Sequence, residues 1–213
     1  MSSSHANSQE KKKDRRSVRE ESRAVYRQAI MQAAIQIFGR TGFRDTKIAD
    51  VAAEAGVATG TLYNYFSSKE DIFQSILDDG RERLGAELEL LANIEDPLVR
   101  LRELVRVMFG FLEQHGALFS IYMQIGVNPV TFKCEADAGD EAFRQAILAQ
   151  ITAFLAEAGA RVRLDHPSQT LAMALGGLIN AAILAWVEGG CQPGLSDQTE
   201  VIMDLFLYGA TPR

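Results

Sequence analysis

The sequence predicts an all-α protein with a small N-terminal three-helix unit, a larger helical body behind it, and about nine helices in total. Three observations carry this. Apolar residues recur at helical spacing between cap-like residues, and no run alternates apolar and polar side chains as a half-buried strand does. One short helix follows another across a turn of about three residues at Gly56, the spacing of a helix-turn-helix. The charge is also divided. Residues 1–73 hold 12 Lys or Arg against 9 Asp or Glu, whereas residues 74–213 hold 10 against 19, within an overall net charge of -6. A basic head on an acidic body suggests that only the head meets a polyanion.

Taken in order, residues 1–22 are polar and carry the run Lys11 to Arg16, KKKDRR; so little apolar surface predicts a disordered basic arm. From Arg23 to Arg40, apolar pairs repeat every four positions (Val25/Tyr26, Ala29/Ile30, Ala33/Ala34, Ile37/Phe38), giving a helix with one buried face that Gly42 can end in the left-handed conformation. Thr46 is the expected N-cap of a second helix through Ile48, Val51, Ala52 and Ala55, and Gly56 closes it. Ala58 to Phe66 forms the third. It is too short to hold itself, because isolated helices under about 12 residues are marginal in water. Ser67-Ser68-Lys69-Glu70 reads as a capping box opening a long helix, 68–93.

Beyond it, Asp96-Pro97 caps a helix to Gln114, with Gly116 as its stop; a short helix is expected at Ala117–Ile125, then a loop to Gly139. Asp140 opens a helix to Ala158, ended by Gly159. His166-Pro167 begins an apolar helix to Glu188, stopped by Gly189-Gly190, and Ser196 caps a last one through Val201, Ile202, Leu205 and Phe206. The expected domains are therefore 1–22 (arm), 23–67 (three-helix unit) and 68–213 (body).

The segment GVATGTLYNYFSSKED, Gly56 to Asp71, concentrates hydrogen-bonding side chains. Thr46, Tyr63, Tyr65 and Lys69 are donors suited to phosphate oxygens, whereas Thr59, Thr61 and Asn64 suit base edges, asparagine being able to bind adenine through two hydrogen bonds. Gly60 lets the short helix pack closely or approach a duplex with no side chain between. Leu62 and Phe66 read as core.

From Thr46 to Lys69 these residues resemble the helix-turn-helix signature of TetR-family transcriptional regulators, and the length and helix succession agree over roughly residues 23–210. The resemblance implies an N-terminal DNA-binding domain, with Thr59 and Thr61 near the bases and Tyr63 and Lys69 on phosphates. It also implies an all-helical domain for effector binding and dimerisation. One position departs: where the family usually has Ser or Thr opening the recognition helix, this chain has Ala58, so Thr59 is the candidate substitute cap.

By the same resemblance the last two long helices pair with their copies in a second chain. The small residues of 171–187 suit close helix approach, and the expected interface comprises Leu171, Ala174, Leu175, Leu178, Ala182, Leu205 and Phe206. As a run of uncharged residues, 171–187 sits at the lower edge of membrane-spanning length but lacks basic flanks, and is read as a helix buried in protein on nearly all sides. The middle helices are expected to line an effector pocket with Phe109, Phe111, Phe119, Tyr122, Met123, Phe143, Phe154 and Trp186, favouring a largely apolar ligand. The rival occupant of the body's function is a protein partner.

Composition excludes little else. With 47% apolar and 23% charged residues the chain can build an ordinary globular core. The start has no apolar run of the secretory kind, and Cys134 and Cys191 lie far apart, so a reducing cytoplasm with no disulfide is expected. His5, His115 and His166 show no metal-like spacing, and no Gly-rich phosphate loop follows a strand. No enzyme, metal or cofactor is expected.

Overall fold

The computed structural model describes residues 3–116, 138–161, 166–192 and 194–209, the first eighteen of these, 3–20, by backbone course. Eight α-helices and two 3-10 turns make up this part, with no strand among the described residues. They are α1 (Ser3–Thr41), α2 (Ile48–Glu54), α3 (Thr59–Leu62), α4 (Lys69–Glu89), α5 (Pro97–Gln114), α6 (Ala138–Ala158), α7 (Ser168–Glu188) and α8 (Gln198–Tyr208). The ninth expected helix, Ala117–Ile125, and the loop after it lie outside the described residues.

Contacts divide the chain into two units, Met1–Leu77 and Asp78–Arg213. The division falls ten residues beyond the expected 67/68 boundary, because the first turns of α4 belong to the N-terminal core. Ile72, Phe73 and Ile76 are buried there, and Phe73 meets Phe38 and Phe43 at ring-centroid distances of 6.3 and 5.3 Å. Phe38 and Phe43 close the triangle edge to face at 5.1 Å. Each such pair adds about 1 kcal/mol beyond simple burial.

The expected disordered arm is corrected: α1 runs unbroken from Ser3. No glycine or proline interrupts positions 3–38, and the Gln, Glu, Lys and Arg that lower its hydrophobicity are good helix formers. The packed segment after Arg23 supplies the costly nucleus, so the polar stretch has only to propagate it. Hydrophobicity was the wrong criterion for a segment attached to a ready-made helix end.

Caps account for the other boundaries. Gly42 at φ 81 ends α1 as expected, with its N–H on the Phe38 carbonyl at 2.9 Å. The N-cap of α2 is Lys47 rather than Thr46; the Asp50 carboxylate accepts the Lys47 N–H at 3.2 Å. At the start of α4 the capping pair is one residue later than expected: Ser68 Oγ accepts the Asp71 N–H at 3.1 Å, while Asp71 takes the Ser67 N–H at 2.7 Å. Asp96 caps α5 as expected, accepting from Leu98 N–H at 2.8 Å with Pro97 at the first helical position. Ser196 does not cap α8, which starts after Asp197, because its hydroxyl is given to Glu113.

In the second unit α5, α6, α7 and α8 pack around a common core of Leu101, Leu104, Val105, Phe109, Leu155, Leu175, Ile179 and Met203. Its seams carry ion pairs: Arg100 to Glu157 at 2.9 Å between α5 and α6, and Arg106 to Glu200 at 2.7 Å between α5 and α8. An exposed pair such as Arg106–Glu200 contributes at most about 1 kcal/mol. The apolar core supplies the stability.

Candidate nucleic-acid interface

The turn between α2 and α3 is built by the backbone. The Gly56 N–H reaches the Ala53 carbonyl at 3.1 Å and the Val57 N–H reaches Ala52 at 2.9 Å, the paired bonds of a Schellman motif. This requires the left-handed Gly56, φ 68. Ala58 follows in extended conformation as the N-cap of α3, without a side-chain cap. Thr59 is thus the first helical residue and does not replace the missing cap. Its exposed hydroxyl bonds to none of the described residues.

The third helix is a single regular turn, Tyr63 N–H to Thr59 at 3.2 Å, continued by tighter ones, Asn64 N–H to Thr61 at 3.1 Å and Tyr65 N–H to Leu62 at 2.9 Å. Leu62 and Phe66, 0% and 1% exposed, nail it to the core as expected. Opposite them, Thr59, Gly60, Tyr63 and Asn64 are exposed, and Thr61 and Tyr65 are half-buried. A Cβ on Gly60 would meet nothing within 4 Å, so no close packing inside the protein calls for glycine there. Of the two expected uses of Gly60, only approach to an outside surface remains.

Two of the residues expected to bind phosphate are engaged internally. Thr46 is 3% exposed; its hydroxyl donates to the Gly42 carbonyl at 2.7 Å and shares a 2.7 Å hydrogen bond with Thr41 Oγ1. Lys69 Nζ donates to the carbonyls of Phe43, Arg44 and Thr46 at 2.8, 2.9 and 3.2 Å, above the Phe43 ring. All three ammonium protons are thereby directed inward, clamping the α1–α2 loop to the start of α4. Both readings are corrected: these side chains build the scaffold and do not reach outward.

Sequence reasoning missed a cationic and aromatic cluster at the other end of the segment. Arg23 lies 5.9 Å from the Tyr65 ring centroid and Tyr26, half exposed, stands 6.1 Å from the same ring. Arg27 covers the Phe66 ring at 4.6 Å and donates to Ser75 Oγ at 2.7 Å, tying the segment's end to α4. The signal was present in the 23, 26, 27 spacing on α1, but which surface that register faces is a tertiary fact.

In the second unit, Phe109, Phe154 and Trp186 are buried in the core, and Phe111 and Phe143 pack half-buried against it. Phe111 stacks on His115 at 4.3 Å; Trp186 Nε1 donates to the Gln192 carbonyl at 2.5 Å. Phe119, Tyr122 and Met123 lie outside the described residues. Among the described residues no three His, Cys, Asp or Glu side chains cluster as a metal site would.

The residues expected at the interface differ in exposure. Leu175, 0% exposed, is protomer core, Leu171, Leu178, Ala182 and Phe206 are half-buried, and only Ala174 and Leu205 stand out. The exposed stripe of α7 is Met173, Ala174, Gly177, Asn180, Ala181 and Ala185, with Val201, Leu205 and Tyr208 on α8. Only 28% of the apolar stretch of Ser168–Glu188 is buried, so the described residues do not enclose the helix on nearly all sides. It is long and apolar enough to cross a membrane, as a helix made for burial against another surface also is.

Residues 30–76 match the family described as "Bacterial regulatory proteins, tetR family". The HTH-type transcriptional regulator YdgC of Bacillus subtilis (strain 168), itself uncharacterised, is 28% identical over 195 residues, covering 88% of this chain and 93% of YdgC. The HTH-type transcriptional repressor KstR2 of Mycobacterium tuberculosis (strain CDC 1551 / Oshkosh) is 32% identical over 94 residues, 44% of this chain, which spans about half (47%) of that relative's length. Among solved structures, FadR from Bacillus subtilis in complex with stearoyl-CoA shares the fold at TM-score 0.66 and 20% identity, over 86% of this chain and 99% of FadR. The buried Leu62 and Phe66, the glycine turn and the exposed face of α3 thus lie in a helix-turn-helix unit that, over residues 30–76, is the N-terminal domain of TetR-family bacterial regulatory proteins.

Proposed function

We propose that the protein is a homodimeric repressor that binds a palindromic operator and is released from it by a small, largely apolar effector. The observation that carries the reading is the exposed edge of α3, Thr59 to Asn64, presented by a segment whose opposite edge is wholly buried. Such an edge fits a major groove. Thr59, Thr61 and Asn64 meet bases, and Tyr63 and Tyr65 meet phosphate.

Two-fold pairing is supported by the exposed apolar stripe of α7 and α8, a surface of the kind that assembly covers. Two copies then present two recognition elements a whole number of DNA turns apart, which is why the operator is palindromic. An effector in the helical body acts only through a difference in affinity between DNA-competent and incompetent states. The covalent route from body to head is α4, which runs through the division between the units. That FadR binds stearoyl-CoA supports an apolar effector, as do the aromatic residues of α5 and α6. The site of action is the cytoplasm, where the operator lies.

Selection from random duplex DNA by the purified protein tests the reading. An enriched palindrome, bound with an affinity that falls steeply with salt, is the expected result; recovery of unenriched sequence would overturn it. Unchanged operator affinity in every ligand-bound form would remove effector control and leave regulation by a protein partner.

A further inference from the structure

The N-terminal extension of α1 has a register that the functional reading does not use. At about 100° per residue, positions Lys12, Lys13, Arg15, Arg16, Arg19, Arg23 and Arg27 fall within about 80° of one line along the unbroken helix Ser3–Thr41. Glu10, Asp14 and Glu21 fall about 140° to 180° away on the same wheel. Glu20 is the one acid inside the basic sector, and Lys11 lies outside it. The charges of residues 3–22, six basic and four acidic, are therefore sorted by face.

The described end of this line shows where it leads. Arg23 and Arg27 lie against Tyr65 and Phe66, the last residues of the recognition segment, and Tyr26 is half exposed beside them. The basic register is thus continuous with the edge of the helix-turn-helix. Residues 3–22 extend it by about 30 Å, close to one turn of DNA.

We propose that this half of α1 is a second, sequence-independent DNA contact, its basic register following the phosphate backbone beside the operator half-site. It rests on the DNA-binding reading above. Phosphate is the chemistry that a one-sided row of Lys and Arg fits, while the acidic row on the far side limits self-association and turns away nucleic acid from the wrong face.

The experiment is the salt dependence of operator binding by the full chain. The combined variant Lys12→Gln, Arg16→Gln, Arg19→Gln keeps good helix formers. A control of equal net charge, Asn7→Glu, Ser17→Glu, Val18→Glu, lies outside the basic sector. The expected result is a slope of log K against log salt shallower by roughly 2 to 3 in the first variant, at about 0.9 per phosphate. Affinity should fall equally on operator and random duplex, and hydroxyl-radical protection flanking the half-site should be lost. The control keeps most of the slope.

Equal loss in both variants would show a net-charge effect and overturn the proposal. So would an unchanged slope while the wild type still selects its palindrome, which leaves the regulator reading standing. Should the first variant instead lose binding to phosphatidylglycerol vesicles with its DNA slope intact, the helix is a membrane-surface element and the proposal falls. Failure of the wild type to select any DNA overturns both readings.

Discussion

At the scale of single residues, Lys69 and Tyr63 exchange the weight that sequence reasoning assigned them. Lys69 spends its three donors on carbonyls of the α1–α2 loop, whereas Tyr63 is 55% exposed. Lys69→Met should therefore lower the stability of the N-terminal unit by about 2 kcal/mol, leaving the salt slope of operator binding in place. Tyr63→Phe should do the reverse: unchanged Tm and operator affinity lower by roughly fivefold, the effect of one hydrogen bond. A Lys69→Met protein with normal Tm and a slope shallower by about 0.9 would return lysine to the phosphate.

Glu113 is the other residue whose chemistry is fixed by its surroundings. Its carboxylate accepts hydrogen bonds from the Ser196 hydroxyl, the Gly194 N–H and, at 3.2 Å, the Ser196 N–H, joining the end of α5 to the chain entering α8. These donors, the Ser196 hydroxyl first, hold its pKa below the usual carboxylate value, although burial opposes them. The folded state therefore gains stability from the ionised form above the unfolded pKa of about 4.3, and loses it as pH falls through the lower folded value. Glu113→Gln should melt lower than wild type at pH 7, and the gap should narrow below about pH 4. A gap independent of pH in thermal melts from pH 3 to 7 would exclude the carboxylate as its cause.

At the scale of elements, α3 is a helix that its sequence alone does not sustain. It has no side-chain cap, spans only Thr59–Leu62, and survives because Leu62 and Phe66 are buried on one side and the Gly56 turn fixes its entry. Ala58→Ser should add the missing cap and raise stability by about 1 kcal/mol. Gly60→Ala should also stabilise slightly, by roughly 0.5 to 1 kcal/mol, since its Cβ meets nothing within 4 Å. If Gly60 serves the approach to DNA, the same change weakens operator binding while Tm rises. A tighter-binding Gly60→Ala protein would show that the position is open to any small residue.

The boundaries of α1, α2 and α4 show how far local rules reach. Gly42 and Gly56 were legible because a left-handed residue is a backbone requirement that few side chains meet. Thr46 was misassigned as a cap because several hydrogen-bonding residues stand before α2, and the choice among them is made by burial, which leaves Thr46 bonded to Gly42 and Thr41. The start of α1 was missed because helix propagation from a folded end needs no apolar face.

For the whole molecule, the proposed function gives assembly to the acidic body and nucleic acid to the basic head. The outward stripe of α7 places Ala181 where a second copy of the chain is proposed to pack. Ala181→Glu should give a folded monomer by light scattering at micromolar concentration. Operator affinity should fall on the order of 100-fold, because a charge buried without a partner costs several kcal/mol. A dimer of unchanged affinity would move the interface elsewhere. Of the residues expected at the interface, Ala174 and Leu205 are exposed, whereas Leu175 belongs to the core. Apolar helices such as α7 have no polar face to orient them, so periodicity could not say which side turns inward.

By itself the sequence determined the helical class, the placement of the turns and the family of the head, because caps, glycines and apolar spacing act within a few residues of one another. It also determined the unequal charge of head and body. Only the tertiary structure decided which donors remain free for a ligand. Thr46 and Lys69 differ from Tyr63 not in chemistry but in what folds against them, and such partners lie as far apart in sequence as Phe43 and Lys69.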